Sequence, residues 1–481
     1  MKNKVLSSLV WKLLERGGTQ GIQLIISIVL ARLLSPEDYG IIALITVFIV
    51  IANIFVQSSF NNALIQKKDA DEVDFSSVFY LSFIFTILLY LIIFFSAPLI
   101  ASFYDKPILI QVLRVLALSL FLSPFTSIQN AYIAKKMLFK MLFFSSLGSI
   151  IISGSIGIYL AYSGFGVWAL VYQQIASQIS ITIILWFTVK WRPKLLFSLK
   201  KVKGLFSYGW KILVSSIINR LDWDLRSLVI GKMYNASMLG YFNRGIQVPE
   251  LIATNMDSSI QPVLFPVLAN EQDDKKRVKE IVRRTIVTSS FIIFPAMIGL
   301  AAISEPFVRI LLTDKWLPSV PFMQIFCISY AITPIHTANL QAINALGRSD
   351  IFLKLEIIKR SISFVILIIT MFIGIYAMAI GILISGIISA FVNIYPNKKL
   401  LNYSYAEQAK DIFPSLFISL IMGIAVYRIN FLELEPMLIL IIQIVLGVTI
   451  YVGLAKIFKF ECFTYLLTSL KDFFKKRKKV A

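Results

Sequence analysis

The chain has 481 residues, 58% of them hydrophobic and only 15% charged, with a formal net charge of +21. A soluble chain is about a quarter charged, so the composition excludes a water-soluble globular protein. The basic residues fall in short stretches between apolar runs, which argues against nucleic acid as a partner.

The apolar runs are about twenty residues long, enough to cross a hydrocarbon layer ~30 Å thick. Backbone groups find no water there, so the runs must be helices. Their unbroken apolar character argues against the alternating strands of a barrel. The first six helices are expected at about 8–33, 37–64, 74–101, 109–134, 139–162 and 166–189. Six more follow at about 205–231, 236–268, 284–303, 318–346, 352–374 and 377–397, and two last at about 410–429 and 437–457. Lys12, Glu15 and Arg16 interrupt the first run, so no cleavable signal peptide is expected.

Most of the 47 Lys and Arg lie at the termini and in every second loop. The intervening loops and their edges hold only Arg32, Lys106, Arg114, Lys232, Arg309, Lys315 and Arg428. By the positive-inside rule both termini are cytoplasmic, in a plasma (inner) membrane. The stretch Phe463–Lys479 reads either as an amphipathic helix on anionic membrane lipid or as a basic tail obeying that rule. Loop charges such as Asp71–Asp74 and Asp273–Arg277 read as solvated surface.

The two halves of the chain echo each other. Trp11-Lys12 recurs as Trp210-Lys211, Ser35 to Gly40 as Asn235 to Gly240, and Gln57-Ser58-Ser59 as Asp257-Ser258-Ser259. Pro98, Asp105-Lys106 and Pro124 match Pro306, Asp314-Lys315 and Pro334. A duplicated unit of six helices inserts twice in one orientation, giving a pseudo-two-fold axis along the membrane normal. The expected fold class is an all-α polytopic membrane protein of about 14 transmembrane helices, two pseudo-two-fold-related six-helix bundles plus two C-terminal helices. The boundaries are 1–189, a cytoplasmic linker 190–204, 205–400, 401–460 for the added pair, and a basic tail 461–481.

An ionisable residue at mid-bilayer costs roughly 2.5–3.5 kcal/mol and therefore faces a cavity or a partner. The seventh helix holds Lys211, Arg220, Asp222, Asp224 and Arg226. Lys211, Ser215, Asn219, Asp222 and Arg226 share one face, and the matching positions of the first helix are Lys12, Arg16, Gln20, Gln23 and Ser27. The two stripes read as facing walls of a hydrated cavity, or else as polar contacts between packed helices. Arg220 and Asp224, one turn apart on the opposite face, suit an ion pair. The eighth helix adds Arg244 to the cavity set, with Glu250 and Asp257 as carboxylates that suit ion or proton coupling or simply neutralise an arginine. The glycines Gly17, Gly18 and Gly21 suggest close packing or a bend.

No catalytic residue, cofactor or metal is expected. There is no Walker loop, zincin motif or nucleophile elbow. Cys327 and Cys462 are far apart, and His336 is the one histidine.

The stretch Leu30-Ala31-Arg32-Leu33-Leu34-Ser35-Pro36-Glu37-Asp38-Tyr39-Gly40, followed by Ala63-Leu64-Ile65-Gln66, resembles the opening of the polysaccharide transporter family. These are Wzx-type lipid-linked oligosaccharide flippases of the multidrug/oligosaccharidyl-lipid/polysaccharide exporter superfamily. Ser207-Tyr208-Gly209-Trp210, Asn219 to Asp224, Ile230-Gly231-Lys232, Leu239-Gly240-Tyr241, Pro249 and Phe265-Pro266 extend the likeness over roughly 5–400. Ser58-Ser59 departs from it, a glycine being more usual there. The resemblance implies movement of undecaprenyl-diphosphate-linked repeat units to the outer leaflet for O-antigen, capsule or exopolysaccharide, with Lys12, Arg16, Lys211 and Arg226 facing the diphosphate. It makes a lipid-linked oligosaccharide the substrate and polysaccharide polymerase machinery a further candidate partner. Alternatives are an ion-coupled multidrug exporter of the same superfamily, a peptidoglycan lipid precursor flippase and, from another class, a membrane-embedded glycan polymerase or ligase.

Overall fold

The computed structural model describes residues 2–67, 69–460, 462–464 and 468; side chains at 2–10, 12–14, 16, 58–60, 62, 208, 219 and 222 lie outside it. Among these residues the secondary structure is entirely helical. In the first half α1 is Lys2–Leu33, α2 Pro36–Asn53, α3 Ser59–Gln66, α4 Glu72–Phe103 and α5 Ile108–Ala117. Then come α6 Ser123–Lys136, α7 Phe139–Tyr162, α8 Val167–Thr188, α9 Leu199–Met233 and α10 Ala236–Asn270. The second half holds α11 Lys275–Leu312, α12 Val320–Ala331, α13 Thr333–Ala345, α14 Ser349–Met371, α15 Ile375–Leu400, α16 Tyr405–Arg428 and α17 Pro436–Ile457.

Among the described residues ten helices, some of them broken, are long and apolar enough to cross a membrane. Large side chains such as Phe95, Leu99 and Phe187 stay exposed along them, as lipid contact requires. Of the fourteen expected spans, the four that miss this measure correspond to α1, α9, α10 and α14. These are continuous helices of 32, 35, 35 and 23 residues. They have the length to span but carry too much polarity, and three of them hold every candidate cavity residue.

Three expected helices are not continuous. A π-helical turn at Ile54–Ser58 separates α2 from α3, and a 3-10 turn at Leu118–Leu122 separates α5 from α6. Ile332 divides α12 from α13. Prolines explain two of these breaks: Pro124 and Pro334 both sit in the first turn of the second half-helix, where a missing N–H costs nothing. Polar side chains fill the first pair of breaks. Asn53 Oδ1 accepts from Ser123 Oγ at 2.7 Å and from Gln57 at 3.2 Å, and Asn61 donates to Ser127 at 2.6 Å.

Helix starts are capped. Ser35 with Asp38, Asp71 with Asp74, and Ser404 with Glu407 form capping boxes at α2, α4 and α16, and Asp274 caps α11. The expectation that these charges are solvated surface holds for Asp273–Arg277, all exposed, and is corrected for Asp74. Asp74 is fully buried and accepts both charge-assisted hydrogen bonds of Lys67 at 2.7 Å. The Lys201 ammonium and the Asp74 amide hold the Asp71 carboxyl well below the usual carboxylate range.

The chain divides into two compact units, 1–240 and 241–481. In the first, α1 lies along α7 and α7 along α8, while α9 packs on α2, α3 and α4. The segment before α9 is tied to the start of α4: the Lys194 amide donates to Ser76 at 3.1 Å, the Ser198 amide to Ser77 at 2.9 Å, and Lys201 pairs with Asp71. Gly40 and Gly240 allow the starts of α2 and α10 to touch. A Cβ on Gly40 would lie 1.7 Å from the Ala236 oxygen, and one on Gly240 2.1 Å from the Pro36 oxygen.

In the second unit α11 packs along α16, α14 along α15, and α12 and α13 against α15. Three fully buried amides join α13, α15 and α16. Asn339 and Gln408 exchange hydrogen bonds of 3.0 and 3.1 Å, and Asn397 donates to Asn339 at 2.7 Å. An apolar cluster of Phe291, Ile418, Met422, Val426, Tyr451 and Ala455 holds α16 and α17 to α11.

Candidate functional site

The site is built from the helices too polar for lipid. On α1, Gln20 is half-buried and Gln23 exposed, and Gly17 and Gly21 face open space. Gly18 alone of the three approaches a neighbour, 3.5 Å from Phe143, and α1 runs on unbroken through them. On α9, Lys211 and Ser215 are exposed, whereas Arg226 is buried within the first unit. The candidates Lys12, Arg16, Asn219 and Asp222 have side chains outside the described set.

The Arg220 and Asp224 pair expected on the other face of α9 is present, with Arg220 Nε 2.9 Å from the carboxylate. Asp224 is buried while Arg220 stays partly exposed, so the guanidinium shelters the acid from the apolar surroundings. The extra structure around α9 includes Tyr104, whose hydroxyl donates to the Leu228 carbonyl at 3.4 Å, and Lys232, which pairs with Asp105 at 3.1 Å.

In the second unit α10 carries the remaining candidates. Arg244 is buried, donates to Gln247 and lies 5.3 Å over the Trp316 ring. A cation on an aromatic face is stabilised without solvent, so Arg244 is held by the fold in this conformation. Glu250 is exposed, and Asp257 is half-buried and accepts from Thr337 Oγ1 at 2.8 Å. His336, adjacent to Thr337 in the chain, meets Asn393 at 3.0 Å, and within α14 Lys359 pairs with Glu356. Sequence reasoning did not connect Thr337 to Asp257. The density of polar residues in the fourth and tenth helices around the two prolines was the available signal.

Among the described residues no group of three or more His, Cys, Asp or Glu lies together as a metal site would require. What the described residues offer is polar surface on α1, α9 and α10, cations and amides that can bind.

The helical fold, with polar helices among ten long and apolar enough to cross a membrane, is that of a multi-pass membrane protein. The chain belongs to the family described as Polysaccharide biosynthesis protein, whose match covers residues 29–321, and so to the Wzx-type flippases of the multidrug/oligosaccharidyl-lipid/polysaccharide superfamily. It is 30% identical over 310 residues to the teichuronic acid biosynthesis protein TuaB of Bacillus subtilis, spanning 63% of each chain. It is 24% identical over 430 residues to the lipopolysaccharide biosynthesis protein WzxC of Escherichia coli, covering 87% of this chain and 86% of that one. Its fold matches the lipid II flippase MurJ in an inward closed conformation with a TM-score of 0.78 at 16% identity, over 94% of this chain and 98% of the other. An inward-facing multidrug resistance transporter of the MATE family matches at 0.62 and 14% identity, over 79% and 94%.

Proposed function

We propose that the protein moves polyprenyl-diphosphate-linked oligosaccharide repeat units across the plasma membrane by alternating access, for assembly of a surface polysaccharide. The observation that carries this is the polarity of α1 and α9, where Gln23 on one and Lys211 on the other are exposed among apolar helices. Such surface is untenable against lipid and stable against water. A hydrated cavity lined by Lys12, Arg16, Gln20, Gln23, Lys211, Asn219, Asp222 and Arg226 suits a diphosphate and a glycan, and Arg244 is a further candidate of the same set. Glu250 and Asp257 couple the cycle to an ion or proton.

Fourteen spans, in two six-helix bundles and an added pair, put both termini in the cytoplasm. The basic C-terminal run adds attraction to anionic lipid, and a polymerase is the natural consumer of the exported unit.

Deleting the gene tests the reading. Lipid-linked precursor should accumulate inside and the surface polymer should be lost; unchanged polymer and precursor would overturn it. A second reading, export of a peptidoglycan lipid precursor, draws on the fold likeness to a lipid II flippase. It requires that depletion stop growth with the surface polymer still made.

A further inference from the structure

The segment between α8 and α9 is held at a definite depth. Ser76 and Ser77 lie just over one turn inside α4 and are fully buried. The Lys194 amide donates to Ser76 at 3.1 Å and the Ser198 amide to Ser77 at 2.9 Å. Beside it, α8 keeps an apolar outer face to its last turn, where Phe187 is exposed. Both α4 and α8 are long and apolar enough to cross a membrane. A loop tied inside one span and starting where another ends lies at the border of hydrocarbon and headgroups, not out in water.

Between the two ties the chain turns its large apolar side chains outward. Leu195 is 95% exposed and Leu199 72%, with Leu196 and Phe197 exposed between them. The segment is anchored by other residues: Trp191, Val202 and Leu205 are buried in an apolar cluster with Phe75 and Val78. The outward set is therefore fixed by the fold, and four such side chains on one short loop are unfavourable against water.

The flanks are basic. Residues 190–203 hold Lys190, Arg192, Lys194, Lys200, Lys201 and Lys203 and no acid. Three of these are engaged: Lys194 with Glu72, Lys201 with Asp71, and Arg192 with the carbonyls of Trp186, Val189 and Trp191. Lys190, Lys200 and Lys203 are exposed and pair with no carboxylate among the described residues. Lys200 also stands in the first turn of α9, which holds no acid and where the helix dipole disfavours a cation. An anion outside the protein relieves that charge.

We propose that this loop is a membrane-surface anchor specific for acidic phospholipid. Leu195, Leu196, Phe197 and Leu199 enter the adjoining leaflet, and Lys190, Lys200 and Lys203 hold the phosphates of its acidic lipids. An uncharged leaflet would take the apolar tip and leave the three lysines without a counter-charge. A soluble acidic protein would take the lysines but would have to displace lipid to cover the tip at this depth. An acidic lipid surface satisfies both. The anchor stands at the root of α9, and it does not rest on what the protein moves.

For the test, Leu195→Cys is made in a Cys462→Ser background, which leaves only the buried Cys327 besides the new thiol. The full-length protein is labelled at 195 with an environment-sensitive fluorophore and placed in nanodiscs of phosphatidylcholine with or without phosphatidylglycerol. Quenching is read with acrylamide from the water and with bromine on the lipid chains. With phosphatidylglycerol present, acrylamide quenching should fall about threefold or more and the brominated chains should quench, as several lysines on an acidic surface predict. Added salt should reverse the effect. Lys190→Gln/Lys200→Gln/Lys203→Gln should lose the difference between the two lipid mixtures, and Phe197→Ser/Leu199→Ser should stay open to acrylamide in both. The proposal falls if the two mixtures give the same quenching, whether high or low, or if the lysine variant responds like the parent. It falls also if the probe is shielded in detergent to a degree that rises with protein concentration, which would make a second copy of the chain the occupant.

Discussion

Gly40 and Gly240 face each other across the crossing of α2 and α10, each so close to the other helix that a single added carbon has no room. The collision would be with backbone oxygens, which cannot swing aside. Gly40→Ala should therefore destabilise the protein by about 1–3 kcal/mol, the range for overpacking. Gly17→Ala, at a helical position facing open space, should be neutral or slightly stabilising by virtue of helix propensity. Thermal unfolding of the two purified variants in one detergent checks the contrast, and an equal loss in both would remove the basis for it.

The bond from Lys67 to Asp74 reaches from the end of α3 to the first turn of α4. Removing the lysine leaves a carboxylate with no exposed surface. For a fully buried pair this costs about 3–5 kcal/mol; Lys67 is 37% exposed, so about 2 kcal/mol is expected for Lys67→Ala. A Lys67→Ala/Asp74→Leu double variant should recover most of it. Unfolding temperatures of the parent, singles and double give the cycle directly.

Asp71 and Lys201 predict a pH dependence. The folded-state pKa of Asp71 lies below its value in the unfolded chain, so its stabilisation is complete above about pH 4 and is lost as pH falls through the folded value. Asp71→Asn should lower the unfolding temperature at pH 7, with a difference that shrinks progressively below about pH 4. Half of the Asp71 surface is exposed, so salt should shrink it as well. A difference that stays constant from pH 7 to pH 3 would contradict the pairing.

How much of this was legible in the sequence depends on the range of the cause. Span length is a local property, and α17 at Pro436–Ile457 and α7 at Phe139–Tyr162 lie where the apolar runs end. The Arg220–Asp224 pair was legible because helical spacing alone brings the groups together. The burial of Asp74 was not, since a run of acids after Lys67-Lys68 reads as wet loop until α4 and the segment before α9 close over it. The π turn at Ile54–Ser58 has no proline to announce it. Nothing in the helix of Arg244 shows that Trp316, far along the chain, supplies the ring beneath it.

Two arginines of α9 should behave differently. Arg220→Ala strips the shelter from buried Asp224 and should reduce the amount of folded protein, with Arg220→Ala/Asp224→Ala partly restoring it. Arg226→Ala combined with Lys211→Ala should leave protein level close to the parent and reduce polymer export by tenfold or more, about 1.4 kcal/mol or above of lost substrate affinity. Membrane immunoblots beside surface-polymer assays separate the two effects; normal polymer from the Lys211/Arg226 double variant would refute the cavity assignment.

Asp257→Asn keeps an oxygen for the Thr337 hydroxyl and removes the charge. The variant should fold like the parent and lose the dependence of transport on an ion or pH gradient. Transport in vesicles with imposed gradients is the measurement, and an unchanged gradient dependence would exclude Asp257 from coupling.

The buried amides of Asn339, Asn397 and Gln408 set a boundary on how the chain can be shortened. A version ending before Ser404 would keep the first twelve expected helices and all the candidate transport residues, yet it would strip Asn339 of both its hydrogen bonds with Gln408 and uncover the Asn339–Asn397 pair. The last two helices thus act as a keystone for the second half, and a shortened chain meant as a minimal transporter should be made with apolar replacements at both asparagines.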